Sequence, residues 1–205
     1  MSSTASSRAL ATTLWPDNVN HALRAVILVL AGTAILAISA KVKVPFWPVP
    51  MTLQTFAVLM IGAAYGSRLA VATVIAYIAE GVIGLPVFTN TPPAVAGPLY
   101  MLGPTAGFIM SWVLVAAIVG FAADRGWDRS PLRLGAAMLV AVIVQFALGF
   151  AWLAWIAQLP NGAAGVGAAN AWAGGVAPFL LGDALKVVLA ALIIPASWTL
   201  VGRKG

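Results

Sequence analysis

Between Ala177 and Val201 the chain holds one apolar run with only two charges in it, Asp183 and Lys186. About 20 apolar residues, at about 1.5 Å each, cross the hydrocarbon core of a bilayer, so this run is long enough to span one. A charge at that depth costs on the order of 3 kcal/mol on insertion scales. Opposite charges three positions apart share a helix face, and each partly offsets the other. Two readings follow. The pair either fixes helix packing or forms a buried polar site for a small solute, the usual role of charge inside a membrane.

Composition extends the constraint to the whole chain. The sequence is 62% hydrophobic and 8% charged, with a mean hydropathy of +1.01, whereas a soluble domain carries about 25% charged residues. An integral membrane protein is predicted, and 205 residues make one compact domain. Without cysteine there is no disulfide, thiolate nucleophile or iron–sulfur site. The net charge of +6 is spread near predicted helix ends instead of clustered with aromatics, so it reads as membrane topology and not as a nucleic-acid surface.

Six apolar segments can be drawn. The first runs from Ala22 to Ala40 and stops at Lys41 and Lys43. Met51 to Leu85 is too long for one helix and breaks at Tyr65-Gly-Ser-Arg68, which predicts two short helices and a tight turn. Gly103 to Ala123, Leu132 to Gln158 and Ala177 to Val201 complete the set. Pro45 to Pro50, Pro86 to Pro98 and Pro160 to Gly175 read as irregular loops. The expected fold is an all-α integral membrane bundle of six transmembrane helices, residues 21–205, behind a flexible cytoplasmic tail, residues 1–20. A signal peptide ending near Ser39 and Ala40 is a competing reading of the first segment.

Lys and Arg set the orientation. With six spans, Arg8, Arg24, Arg68, Arg125, Arg129, Arg133, Arg203 and Lys204 fall on one side and Lys41 and Lys43 on the other. Both termini are therefore expected in the cytoplasm, with the Asp183/Lys186 pair in the outer half of the membrane. Trp15, Trp47, Trp127, Trp172 and Trp198 fall near the predicted interfaces. The GxxxG spacings Gly62-Ala-Ala-Tyr-Gly66 and Gly103-Pro-Thr-Ala-Gly107 read first as close helix packing within the monomer. The ridge of Ala31, Gly32, Thr33, Ala34 and Ala37 suits either internal packing or docking to another membrane subunit.

Catalytic patterns are missing. No phosphate loop, HExxH or GxSxG occurs, and the single histidine, His21, stands at the start of the first helix. No enzyme activity and no cofactor or metal is expected. Glu80 reads as a rim carboxylate or, less simply, a proton relay.

Four ordered stretches resemble a known family: Val49-Pro-Met-Thr-Leu-Gln-Thr-Phe56 with Gly62, Gly84-Leu-Pro-Val-Phe88, Gly103-Pro-Thr-Ala-Gly-Phe108, and Pro178-Phe-Leu-Leu-Gly-Asp-Ala-Leu-Lys186. Together they are similar to the BioY family, the biotin-specific capture (S) components of energy-coupling factor (ECF) transporters. The resemblance implies a six-helix protein of the bacterial cytoplasmic (inner) membrane that takes biotin from the outer face. It also implies association with a transmembrane coupling subunit and ATPase subunits, docked through the first helix at Ala31, Thr33, Ala34 and Ala37. The family's D-x-x-K pair maps onto Asp183 and Lys186. The loop from Thr89 to Tyr100 offers Asn90 but no arginine, and the docking ridge lacks an AxxxA spacing, Thr33/Ala37 being its nearest match.

Biotin presents two ureido N–H donors, a carbonyl, a thioether ring and a carboxylate. A carboxylate and an ammonium on one helix face suit the ureido group through charge-assisted hydrogen bonds. Thr52, Gln54, Asn90 and Tyr100 are candidate neutral partners, and Phe46 and Trp47 candidate covers for the ring. Lys41 and Lys43 either concentrate an anionic solute or contact headgroups. The open alternatives are an S component or stand-alone permease for another vitamin, and a purely structural membrane protein.

Overall fold

The computed structural model describes residues 10–13, 20–94, 96–159 and 161–202. Its elements in chain order are α1 (Leu10–Thr13), α2 (His21–Lys41), β1 (Lys43–Val44), β2 (Met51–Thr52), α3 (Gln54–Tyr65), α4 (Ser67–Val82), α5 (Ala106–Asp124), α6 (Pro131–Trp155), α7 (Ala168–Gly175) and α8 (Leu180–Gly202). Single 3-10 turns cover Pro98–Leu102, Trp127–Arg129 and Ala177–Phe179. Among the described residues, four helical stretches are long and apolar enough to cross a membrane: α2, α5, α6 and the stretch from Ala168 to Leu200, which takes in most of α8. At 12 and 16 residues, α3 and α4 reach only about 18 and 24 Å. They meet at Gly66, whose φ of 75° is a conformation other residues resist.

Two loops carry more structure than their composition predicts. The Pro-rich stretch after α2 folds back as an antiparallel ribbon that pairs Lys43 with Thr52 and Val44 with Met51. The expected irregular loop before α8 contains α7. Its helix fits because Gly174 lies where an added Cβ would sit 2.7 Å from Pro48, and Gly175 where one would sit 2.5 Å from Leu153. Within the stretch expected as a loose tail, Leu10 and Ala11 of α1 are buried and Leu10 belongs to the core. The remaining tail, with Arg8 and Trp15, and the far end, with Arg203 and Lys204, lie outside the described residues.

The centre of the bundle is α5, which packs on α3, α4 and α6 and buries Ile109, Trp112, Val115, Ala116 and Val119. Small residues set these approaches, as they do wherever helices lack a hydrophobic drive to associate. A Cβ at Gly62 would lie 3.0 Å from Val119, one at Gly107 2.2 Å from Trp152, and one at Gly120 2.5 Å from the backbone of Ser67. At the same end, Asp124 accepts from the Ser67 N–H at 3.1 Å and satisfies an orphan donor at the start of α4. Asp128, buried in the α5–α6 connection, accepts from Trp198 of α8 at 2.6 Å, while Arg129 stacks 4.7 Å over that indole. Burial pushes the Asp128 carboxyl above the usual range, against the pull of the Trp198 hydrogen bond.

The outside is apolar. Leu23, Leu30, Ile38, Leu132, Leu139, Ile143, Leu181, Leu185 and Leu192 all stand exposed, a surface suited to lipid. Among the described residues, α2 is covered on one side, mainly by α4. Its small-residue ridge is split. Ala31 and Ala34 face out, Ala37 is half-buried, and Thr33 is buried beside Gly32, which packs on Thr73. Thr33 is therefore spent inside the monomer and is not part of an outward docking face.

Candidate functional site

The polar residues that the apolar runs cannot solvate gather at the end of the bundle bearing the ribbon. Phe179, in the 3-10 turn that leads into α8, is buried, and one turn later α8 turns Asp183 inward, where it is 1% exposed. Lys186 follows on the same face and donates to Asp183 Oδ1 at 2.6 Å and to the Thr52 carbonyl at 2.8 Å. The second bond ties α8 to the ribbon strand just before α3. From α6, Gln145 donates to Asp183 Oδ2 at 3.4 Å and to Thr55 Oγ1 at 3.5 Å, and accepts from Trp112 Nε1 at 3.0 Å. Every buried polar side-chain atom among the described residues has a partner, as a stable polar network in a dry interior requires.

A second network faces the first. Gln54, the first residue of α3, donates to the Tyr77 hydroxyl at 2.6 Å, and its Oε1 lies 3.2 Å from the hydroxyls of Thr52 and Thr89. Tyr77 in turn donates a hydrogen bond to the Val87 carbonyl at 3.0 Å, and Tyr100 donates to the Thr89 carbonyl at 2.7 Å. Burial raises the Tyr100 ionisation above the usual tyrosine range, so its hydroxyl stays a neutral donor. These bonds hold Val87, Thr89 and Tyr100 over the ends of α3 and α4.

Between the two networks lies a cleft with about 480 Å³ of atom-free space, its mouth included. Asp183, Lys186, Gln145, Gln54, Thr52, Thr55, Thr89 and Tyr100 supply its polar wall, and Val49, Phe108, Ile109, Trp112, Phe146 and Phe179 its apolar one. Polar groups converging across from an aromatic and aliphatic wall are what small-molecule sites use to fix a ligand's orientation. No cluster of three or more residues able to ligate a metal occurs among the described residues.

Five of the seven residues singled out from the sequence meet here: Asp183, Lys186, Gln54, Thr52 and Tyr100. Two do not. Trp47 is 78% exposed because the ribbon turns its tip outward, and Phe46 rests on the back of Phe179 with rings 6.0 Å apart. Asn90, in the left-handed region at φ 61°, points away and accepts from Lys43. Gln145, Trp112, Thr55 and Thr89 complete the cleft and escaped sequence reasoning, although a lone glutamine midway along an apolar helix is a legible signal for Gln145.

A membrane helix bundle with one partly open, internally neutralised polar cleft is a solute-capturing membrane protein. The BioY family profile matches residues 8–203, and the chain belongs to that family. It is similar to "Probable biotin transporter BioY" of Pyrococcus horikoshii, 31% identical over 81% of this chain and 91% of that protein. "Biotin transporter BioY" of Rhizobium etli is 32% identical over 86% and 90%. The fold is similar to the crystal structure of the S-component for biotin from an ECF-type ABC transporter, with a TM-score of 0.72, 23% identity, and coverage of 89% of this chain and 93% of that one.

Proposed function

We propose that this protein is the membrane capture component for biotin of an ECF-type importer and that the cleft is its binding site. The observation that carries the reading is the pair of a buried Asp183 and a half-buried Lys186 opening into a cleft otherwise lined by aromatic rings and neutral amides and hydroxyls. A cyclic urea needs donors and acceptors side by side, which the ammonium, carboxylate and Gln145 amide offer within one turn of contact. Trp112, Phe108, Phe146 and Phe179 offer the apolar face for the thioether ring. Thr52, Gln54 and Tyr100 are the further polar contacts of this reading. Purified protein should retain radiolabelled biotin at one per chain without ATP, and excess thiamine or riboflavin should leave it bound. No retention, or equal competition by either vitamin, would sink the assignment.

The same reading includes six crossings, with α3 and α4 as the short pair, and both termini in the cytoplasm. It is supported by Arg24, Arg68, Arg125, Arg129 and Arg133 at the helix ends away from the cleft, and by Lys41 and Lys43 at the cleft end. A phosphatase active only outside the cytoplasm should be silent when fused after Gly205 and active when inserted at the exposed turn at Gly162. The reverse pattern would invert the orientation and close the cleft to outside solute. Coupling and ATPase subunits follow from this role, with Ala31, Ala34 and Ala37 of α2 as the remaining candidate contacts.

A further inference from the structure

Lys41 ends α2 as an exposed residue, but its ammonium turns back onto the loop of residues 86–91. It donates to the carbonyls of Pro86 at 2.8 Å, Phe88 at 2.8 Å and Thr91 at 2.5 Å, using all three of its N–H bonds on one loop. That loop forms no sheet or helix; its Phe88 carbonyl also accepts from the Thr91 N–H at 3.3 Å and the Thr91 hydroxyl at 2.6 Å, and the lysine adds a cationic donor that gathers the three carbonyls at one point. Thr89 lies between the clipped positions. Its hydroxyl reaches the Ala40 carbonyl at 3.1 Å and Gln54 Oε1 at 3.2 Å, and its own carbonyl receives Tyr100. Thr89 is thus held against the last turn of α2, and Tyr100 is tied to it through the Thr89 carbonyl.

The neighbouring cation makes an instructive contrast. Among the described residues the Lys43 ammonium makes one exposed bond, to the Asn90 side chain, and binds no carbonyl. Both lysines place the same charge near the mouth, but only Lys41 secures the wall.

We propose that Lys41 is a positioning residue that governs how long ligand stays in the cleft, by clipping the wall of residues 86–91 to α2. The inference rests on the biotin reading above. With the clip gone, the wall opens more often and ligand escapes faster, while entry, already through an open mouth, changes little. Affinity differences between related complexes commonly reside in the dissociation rate for this reason.

The test is biotin association and dissociation for the wild type, Lys41→Met, Lys41→Arg and Lys43→Met, with amide hydrogen exchange on the ligand-free proteins. Lys41→Met should release biotin at least about tenfold faster, the equivalent of one charged hydrogen bond, with association within about threefold of wild type. A flat guanidinium cannot converge on three carbonyls, so Lys41→Arg should fall between. Lys43→Met should keep the wild-type dissociation rate. In Lys41→Met the amides of Thr91 and Ala94, bonded to Phe88 and Asn90, should exchange faster while those of α5 and α6 do not. Unchanged release from Lys41→Met, or faster exchange throughout α5 and α6 with unchanged release, would overturn the proposal. If Lys41→Met does not fold, wild-type release from Lys41→Arg overturns it and accelerated release supports it. Should the wild type bind no biotin, the functional reading fails, and the exchange of Thr91 and Ala94 alone decides whether the clip exists.

Discussion

Asp183→Asn and Lys186→Met should each weaken biotin binding by about 2–4 kcal/mol, the range for losing a charged hydrogen bond and leaving ligand groups unpaired. Each single change should also lower the melting temperature, since it strands the other charge at a buried position. The double variant separates architecture from recognition. Its neutral pair should recover most of the stability, short of about 1 kcal/mol for the Thr52 carbonyl that Lys186 no longer satisfies. Its affinity should stay depressed. Measuring melting temperature and biotin affinity for all four proteins decides the matter, and wild-type affinity in the double variant would return the pair to helix packing alone.

Gly81→Ala should unsettle the site from behind. The Phe88 ring is fully buried between Gly81, Tyr77 and Tyr100, stacked 4.7 Å from the Tyr100 ring and edge-on 5.5 Å from Tyr77. A Cβ at Gly81 would lie 2.0 Å from that ring. Something must move, and overpacking of this kind costs about 1–3 kcal/mol. Tyr100 moves with Phe88, so biotin affinity should fall together with thermal stability. Trimming the ring in Gly81→Ala with Phe88→Leu should restore both in part. A Gly81→Ala protein with wild-type melting and affinity would show that the ring is free to shift, and would remove Phe88 from the account of the wall.

The contrast between what the sequence disclosed and what it hid follows from range. Apolar run length locates α2, α5, α6 and α8, and the Tyr65-Gly-Ser-Arg68 break separates α3 from α4, because each signal is local and bilayer-sized. By contrast α7 has only eight residues, too few to sustain a helix alone, and is helical here against Pro48 and Leu153. The ribbon is hidden in a similar way, since its prolines sit in the connection and leave the paired residues free to bond. In the site, Asp183 and Lys186 were legible as charges out of place. Trp112 and Phe108 were not, because aromatic residues in an apolar helix look alike whether they face lipid, core or cleft. Trp47 and Asn90 misled because nearness along the chain to site residues says nothing about which way a turn points.

The bond from Lys186 to the Thr52 carbonyl joins residues 134 positions apart, and that separation is also an interval of time. A ribosome makes Thr52 and Gln54 early, Gln145 much later, and Asp183 and Lys186 after every other wall of the cleft. Until α8 arrives, Gln145 has no carboxylate to meet and the Thr52 carbonyl no ammonium. A nascent chain released before that point owns most of the bundle but none of the pair. The cleft is thus among the last features to be completed during synthesis, and a chain stalled before α8 would stand in the bilayer without it.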